Sequence, residues 1–295
     1  MKKSRIVKFS FDNYLAGDDY KIYYKIIGEG HPLLIIHGGP VLDHSYMIDS
    51  FSSLGKEFKL IFFDQCACGK STIPQDHFQL DMNNLLKDID AILENADENN
   101  VSILGHSWGG FLGLNYTLNF PEKVKSLILS NPMPLTRDQW NHDQRVLDER
   151  ILKSDLIKRN KVLQSDQMRK NPSLAIKKLM KISFKPHFSD ENMIEKLNLQ
   201  IPEDYLKRSE LYEYLMNNDL GDYNLEGKVN NIHCPVLTIY GDAEPAVKSK
   251  YHHVIDKAFQ NSHLKIIKNS GHFPFIENPS SYFTAVKKFL SKITV

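Results

Sequence analysis

The stretch 101–110, Val-Ser-Ile-Leu-Gly-His-Ser-Trp-Gly-Gly, constrains this chain more than any other. Residues 101–104 are a short apolar run ending at Gly105, and residues 111–118 carry apolar side chains at helical spacing until Phe120-Pro121 closes them. The pattern predicts a buried strand, a sharp turn and a helix. The pentapeptide at the turn, Gly105-His106-Ser107-Trp108-Gly109, is G-x-S-x-G. Such a turn forces the serine into strained backbone angles, and a Cβ at either flanking position would strike the neighbouring strand or helix. The Ser107 hydroxyl is then expected above the sheet edge, where the next helix aims free N–H groups and its positive end at a developing oxyanion. Short Gly/Ser motifs also recur in loops by chance. The reading therefore depends on a base, an acid and a second donor elsewhere in the chain.

At 295 residues the chain can bury a sizeable core, as one large domain or a domain carrying an insertion. The net charge is +1 with 25% charged residues, so no global field recommends a nucleic acid or an anionic membrane as partner. Function has to be sought locally. The basic start, Met1 to Arg5, runs into an alternating, charged segment where a signal peptide needs an unbroken apolar one. No run approaches the roughly 20 apolar residues of a membrane span. Cys66, Cys68 and Cys234 cannot all pair, which suits a reducing, cytoplasmic setting. Cys66-Ala67-Cys68 is spaced too tightly for a zinc knuckle and lacks a second ligand pair, so no metal site is expected there.

Along the chain, residues 6–11 and 20–27 read as a hairpin around a turn at 15–19, and residues 33–36, 59–63, 101–104 and 124–129 read as strands alternating with helices at 45–54, 80–94 and 111–118. That alternation predicts a mostly parallel sheet covered by helices on both faces. From 132 to 228 strand-like runs vanish and polar helical patterns take over, at 140–157, 173–180 and 204–216. We read this segment as a helical cap inserted between two parts of one core, 1–131 and 229–295. Strands at 236–240 and 264–268 and a helix at 281–290 complete the sheet.

Reactive groups in open parallel sheets gather beyond the carboxyl ends of strands. Asp242 follows the strand 236–240, and His272 follows the strand 264–268. The order Ser107, Asp242, His272 is nucleophile, acid, base. A serine hydroxyl is a poor nucleophile until a base takes its proton, and imidazole titrates in the useful range. Glu244 is the rival acid, two residues on; Asp242 is preferred for its place directly after the strand's glycine. Among other histidines, His252, His253 and His263 sit in or beside a surface helix, His106 should point beneath the site, and His37 should brace its loop. For the oxyanion, the expected donors are the N–H of Trp108 and that of Gly39 in His37-Gly38-Gly39-Pro40, because Pro40 has no N–H to offer. Asp64, after its own strand, reads as a carboxylate that holds neighbouring loops.

With these residues in place, the chain resembles the α/β-hydrolases and, among them, the prolyl aminopeptidase (proline iminopeptidase) group of serine peptidases. The resemblance rests on His37-Gly-Gly-Pro40, Asp64-Gln-x-x-x-Gly69-Lys-Ser71, Gly-x-Ser107-Trp-Gly-Gly110, Gly241-Asp242 and Ser-Gly-His272-x-Pro274, and covers nearly the whole chain outside the cap. Two departures stand out. Val41 replaces the glycine that usually ends His-Gly-Gly-Pro-Gly, and Cys66-Ala67 replace the arginine and glycine that usually follow Asp-Gln.

The resemblance implies a serine hydrolase that releases an N-terminal residue, preferably proline, from short peptides through an acyl-enzyme. It also implies cap carboxylates around the substrate's free amine, for which this cap offers Glu203, Glu210 and Glu213 on one helical stretch and Glu226 near its end. One fold hosts many chemistries, so a carboxylesterase or a small-molecule amidase or lactonase with the same triad is the alternative. Haloalkane displacement would need a carboxylate where Ser107 stands. A binding protein that merely kept the fold would have no use for an intact triad. No cofactor is implied, since the triad supplies its own chemistry. Trp140, Phe184 and Tyr212 could line the pocket, but packing within the cap is the preferred account of each, and the expected partner is a small molecule or short peptide.

Overall fold

The computed structural model describes residues 10–16, 20–39, 41–75 and 80–293. Eight strands form one sheet in the order β1-β2-β4-β3-β5-β6-β7-β8. They are β1 (Ser10–Ala16), β2 (Lys21–Ile27), β3 (His31–Ile36), β4 (Phe58–Phe63), β5 (Val101–His106), β6 (Val124–Ser130), β7 (Val236–Gly241) and β8 (Ser262–Ile267). β2 runs antiparallel to both β1 and β4, and every pairing from β4 across to β8 is parallel. The helices are α1 (Ser45–Phe51), α2 (Met82–Asn95), α3 (Trp108–Asn119), α4 (Arg137–Glu149), α5 (Lys153–Leu163), α6 (Asp166–Lys170), α7 (Pro172–Phe184), α8 (Tyr205–Asn218), α9 (Pro245–Lys248), α10 (His252–Ala258), α11 (Pro274–Glu277) and α12 (Pro279–Leu290).

The central strands are apolar on both sides because both sides are covered, and successive side chains enter different cores. Leu34, Ile36, Ile61, Phe63, Ile103 and Leu127 pack with α2 and α3 residues such as Ile89 and Phe111. Their neighbours Leu33, Ile35, Leu60, Phe62, Leu104 and Ile128 pack instead with Phe51, Phe275 and Tyr282 on the opposite face. The parallel register aligns Ile36 with Gly105, His106 with Ser130, and Gly241 with Ile267. The chain therefore leaves β3, β5, β6, β7 and β8 along one edge, where His37, Ser107, Asn131, Asp242 and Lys268 emerge.

Three local expectations differ from the structure. The first strand is Ser10–Ala16, so Leu15 and Ala16 belong to a strand paired from Ser10↔Ile27 to Ala16↔Lys21; residues 6–9 and 17–19 lie outside the described residues. Asp12 and Asn13 weaken strand propensity, yet an edge strand tolerates them while its partner supplies the ladder. The helical pattern at 140–157 is two helices, α4 and α5, broken at residues 150–152. Arg150 there donates from Nη1 to the Ala243 carbonyl at 3.0 Å, so the break is anchored to the core. The helix at 45–54 ends at Phe51 and tightens into a 3₁₀ turn, Ser52–Lys56.

Between β6 and β7 lie helices α4 to α8 and short 3₁₀ turns, with one bridge pairing Thr136 and Asn224. No helix among the described residues is long and apolar enough to cross a membrane.

Candidate active site

Ser107 stands between β5 and α3 with φ 55° and ψ −120°, a left-handed conformation that an L-residue adopts only under constraint. The constraint is visible on either side. A Cβ at Gly105 would lie 2.2 Å from the Gly109 carbonyl oxygen, and one at Gly109 would lie 2.3 Å from that of Ile36. Only glycine lets β5, β3 and the first turn of α3 approach this closely. Trp108 opens α3, so its N–H has no intrahelical acceptor.

The second expected donor is positioned by the β3–α1 loop. Gly38 N–H donates to the Tyr46 hydroxyl at 2.6 Å, which leaves Gly39 as the glycine of that loop facing the cavity. Gly39 has φ 94°, and a Cβ on it would lie 2.6 Å from Leu42 Cγ. Pro40 lies outside the described residues. His37 is buried and braces the loop: its Nε2 accepts the Gln65 N–H at 3.1 Å, and Gln65 Oε1 accepts the Trp108 indole N–H at 2.7 Å.

Hydrogen bonds also fix the tautomer of His106. Because Tyr46 OH accepts from Gly38, its own proton goes to His106 Nδ1 at 2.7 Å, and His106 Nε2–H donates to the His272 carbonyl at 2.8 Å. Burial, then the nearby His272, hold His106 well below the ordinary histidine range, which keeps this neutral tautomer. The chain of bonds ties the Gly38-Gly39 loop to the His272 loop from beneath.

His272 is held by its backbone on three sides. Its carbonyl also accepts from Asn131 Nδ2 at 2.8 Å, while its N–H donates to the His187 carbonyl at 2.7 Å. Asn131 itself, at φ 40°, accepts the Gly241 N–H at 2.9 Å and so couples the ends of β6, β7 and the His272 loop. The His272 imidazole lines the cavity that Ser107 opens into.

The carboxylate beside that imidazole is Glu244, not Asp242. Glu244 Oε1 is 3.1 Å from His272 Nδ1, and the glutamate is 8% exposed. Asp242 continues the β7 ladder, its N–H donating to Ile267 O at 2.9 Å, and its Oδ1 accepts the Ser270 N–H at 3.2 Å. The preference for Asp242 is therefore corrected. One residue past the strand the side chain turns toward the backbone of the β8 loop, and two further residues, at the head of α9, bring a carboxylate round to the imidazole.

The cavity above Ser107 has a volume of about 560 Å³ and takes most of its outer wall from the β6–β7 segment. Trp140, Phe184 and Tyr212 all line it, although packing within the cap is the preferred expectation for each. Among the three glutamates, Glu213 lines the cavity; Glu203 and Glu210 are exposed outside it. Glu203 precedes α8, and Glu210 sits roughly 100° round that helix from its cavity face, at about 100° per residue. Glu226 is also exposed outside it. Two groups that the sequence reading did not single out line the wall as well. Asp143 on α4 is 8% exposed, and burial pushes its carboxyl up to about 6, a Gln139 hydrogen bond opposing and Glu244 adding to the rise. His187 stacks edge-on 5.3 Å from the His272 ring, and burial followed by His272 pushes its pKa down to about 3.

Asp64 takes hydrogen bonds from His44 N at 3.0 Å, His44 Nδ1 at 2.7 Å and Lys70 N at 2.8 Å. Burial alone would raise its pKa, yet the His44 bonds hold it below the usual carboxylate range. Asp43, His44 and Asp64 bring potential metal-ligand atoms within 4.8 Å of one another, but these bonds already engage both Asp64 oxygens. The departures at 41 and 66–67 surround the same loops. Val41 has φ 68° and Ala67 φ 56°, so both put a Cβ in the left-handed region where glycine is at ease. Cys66, Ala67 and Cys68 are buried, and Tyr212 of α8 donates to the Cys66 carbonyl at 2.9 Å.

A family model described as alpha/beta hydrolase fold matches residues 31–279. The chain is 27% identical over 294 residues to a proline iminopeptidase of Lactobacillus delbrueckii subsp. bulgaricus, covering 92% of this chain and 94% of that protein. It is 28% identical over 278 residues to one from Heyndrickxia coagulans, covering 90% and 92%. Among solved structures, the proline iminopeptidase of Mycobacterium smegmatis superposes with a TM-score of 0.70 at 18% identity over 96% of this chain and 99% of that one. An esterase from Exiguobacterium antarcticum does so with 0.68 at 19% identity over 95% and 100%. Those two structural likenesses speak for the fold alone. The family match takes in Ser107, Glu244 and His272, and the chain belongs to the α/β-hydrolase family, a hydrolase similar to the proline iminopeptidases.

Proposed function

We propose that the protein is a serine hydrolase that releases an N-terminal residue, preferably proline, from short peptides. Ser107 is the nucleophile, His272 the general base and acid, and Glu244 the carboxylate that orients the imidazole. The observation that carries this is one alignment: a serine held at φ 55° at the head of a helix, in one cavity with a histidine whose Nδ1 faces a buried glutamate at 3.1 Å.

In this reading His272 Nε2 takes the Ser107 proton as the hydroxyl oxygen attacks the carbonyl carbon. The Trp108 and Gly39 N–H groups receive the oxyanion. Collapse expels the amine, which takes the proton back from His272, and water repeats the sequence on the acyl-serine. Glu244 stabilises the imidazolium in both halves. Residues 132–228 act as a cap on the core formed by 1–131 and 229–295, and supply Asp143 and Glu213 to the cavity. A carboxylate kept partly neutral by burial gains most when an ammonium arrives, so Asp143 is the stronger anchor for a free amine.

Initial rates on proline, alanine and leucine fluorogenic amides, each with free and acetylated amine, test the reading beside a short-chain acyl ester. The free amides, proline first, are the expected substrates. Turnover of the ester alone, or indifference to acetylation, would move the protein to the esterase or amidase class with the same triad.

A further inference from the structure

The whole-chain charge of +1 conceals a strong asymmetry. Residues 150–185 contain eleven Lys and Arg against two acids, Asp155 and Asp166, a net charge of +9, which leaves −8 for the remainder. The same stretch holds five of the nine large apolar residues exposed among the described residues: Leu152, Leu156, Ile157, Leu163 and Leu174, each 42 to 57% exposed. Basic and apolar excess thus coincide in about an eighth of the chain.

Helix α5 concentrates both. Asp155 is its one buried residue, where it is paired with Lys158 and Lys185 at 2.9 and 3.1 Å. At about 100° per residue, positions 156 and 163 fall within roughly 20° of each other, with Arg159 beside them and Leu152 just ahead at the N-cap. Lys153, Ile157 and Lys161 follow on the solvent side. α5 packs on α6 and α7 and still leaves these leucines 42 to 51% exposed. Exposed leucines among long basic side chains suit a helix lying in the plane of a lipid surface: the leucines enter the acyl boundary, while lysine and arginine stems extend to the headgroups. Anionic headgroups complete the match of charge. A second copy fits worse, because a two-fold interface would press two +9 surfaces together.

We infer that the face formed by α5 and the start of α7 docks on anionic lipid surfaces. The docking side is joined to the active-site cavity by short paths. α7 carries Met180 and Phe184 in the cavity wall, and Arg150, just before α5, is bonded to Ala243 beside Glu244. The inference is independent of the peptidase reading, since it rests on the surface alone.

The test is co-sedimentation of the full chain with vesicles of phosphatidylcholine, with and without phosphatidylglycerol. Two variants accompany the wild type: K153E/R159E/K161E and L152S/L156S/L163S. Binding is expected only with the anionic vesicles and should weaken with added salt. The charge variant should lose at least about tenfold in binding, given roughly a factor of five per basic residue near such a surface. The serine variant should also bind more weakly, while both variants retain wild-type melting and turnover of a small soluble ester. Three results would overturn the proposal: no binding to anionic vesicles at low salt, equal binding to neutral vesicles, or serine-variant binding equal to wild type. Self-association without vesicles that either variant abolishes would assign the face to a second copy instead.

Discussion

Strand β5 and helix α5 stand in opposite relations to water. All six residues of β5 are buried, whereas in α5 only Asp155 is. The strand is pinned by neighbours on both faces and delivers Ser107 to one spot. The helix has few such neighbours, and its side chains are free to vary without disturbing the sheet. In the proposed function the core fixes which bond is attacked, and the β6–β7 segment shapes what reaches it. Hydrogen bonds couple the two where they touch, among them His187 O to His272 N at 2.7 Å, Arg150 Nη1 to Ala243 O at 3.0 Å and the Tyr212 hydroxyl to Cys66 O at 2.9 Å.

The largest effect that would break this division is on chemistry. Ser107→Ala should lower kcat by about 10⁶-fold with an unchanged melting temperature, as loss of a triad nucleophile does elsewhere. Turnover surviving the change would remove Ser107 from its role. Next comes the scaffold. Gly109→Ala drives a Cβ to 2.3 Å from the Ile36 carbonyl and should cost roughly 3 kcal/mol or prevent folding, whereas Leu156→Ser on α5 should stay within about 0.5 kcal/mol, both read by urea unfolding.

Asp88 on α2 sharpens the contrast from inside the core. Burial pushes its carboxyl up to about 7, partly opposed by the Tyr20 hydrogen bond at 2.6 Å. The folded state then holds a proton that the unfolded chain has lost, so stability falls as pH rises from about 4 through 7. Asp88→Asn should abolish that slope and be more stable than wild type at pH 8 by on the order of 3 kcal/mol. Equal slopes in the two proteins would contradict it.

On the β6–β7 segment, Asp143 rises only to about 6 and lines the cavity. An ammonium substrate needs it ionised, so KM for an unblocked amide should fall as pH rises through about 6. Asp143→Asn should raise that KM by about tenfold and flatten the dependence, leaving an acetylated or ester substrate unaffected. The smallest effect is at one of the two family departures. Ala67→Gly relieves left-handed backbone but removes a buried methyl and loosens the unfolded chain, so it should stay within about 1 kcal/mol of wild type, whereas Val41→Gly also deletes a buried isopropyl group and should destabilise by about 1 to 2 kcal/mol.

Much of the core was legible because its constraints are local. A G-x-S-x-G turn after an apolar run specifies strand, elbow and helix at once, and alternating elements specify a parallel sheet whose strand ends collect the reactive groups. Which carboxylate lies beside His272 was not legible for a physical reason. Asp242 and Glu244 both follow β7, and which one meets the imidazole depends on how the loop turns into α9. The segment between β6 and β7 was harder still. Its helices are visible in outline, but the break at 150–152 is set by a contact with Ala243, a residue far along the chain. Asp143 gives no sequence signal beyond an acid on an amphipathic helix; only burial against the cavity distinguishes it. The overall charge was misleading as a guide to surfaces, because +9 in one segment and −8 elsewhere average to a nearly neutral chain.

The comparison that tests the central geometry most directly is kcat/KM for Glu244→Gln beside Asp242→Asn, on the best substrate found and with melting temperatures matched. The structure predicts a loss of about 10³ to 10⁴-fold for the glutamate change and less than about tenfold for the aspartate change. The reverse order would mean that Asp242 orients His272 during turnover, and the arrangement described here would not be the working one.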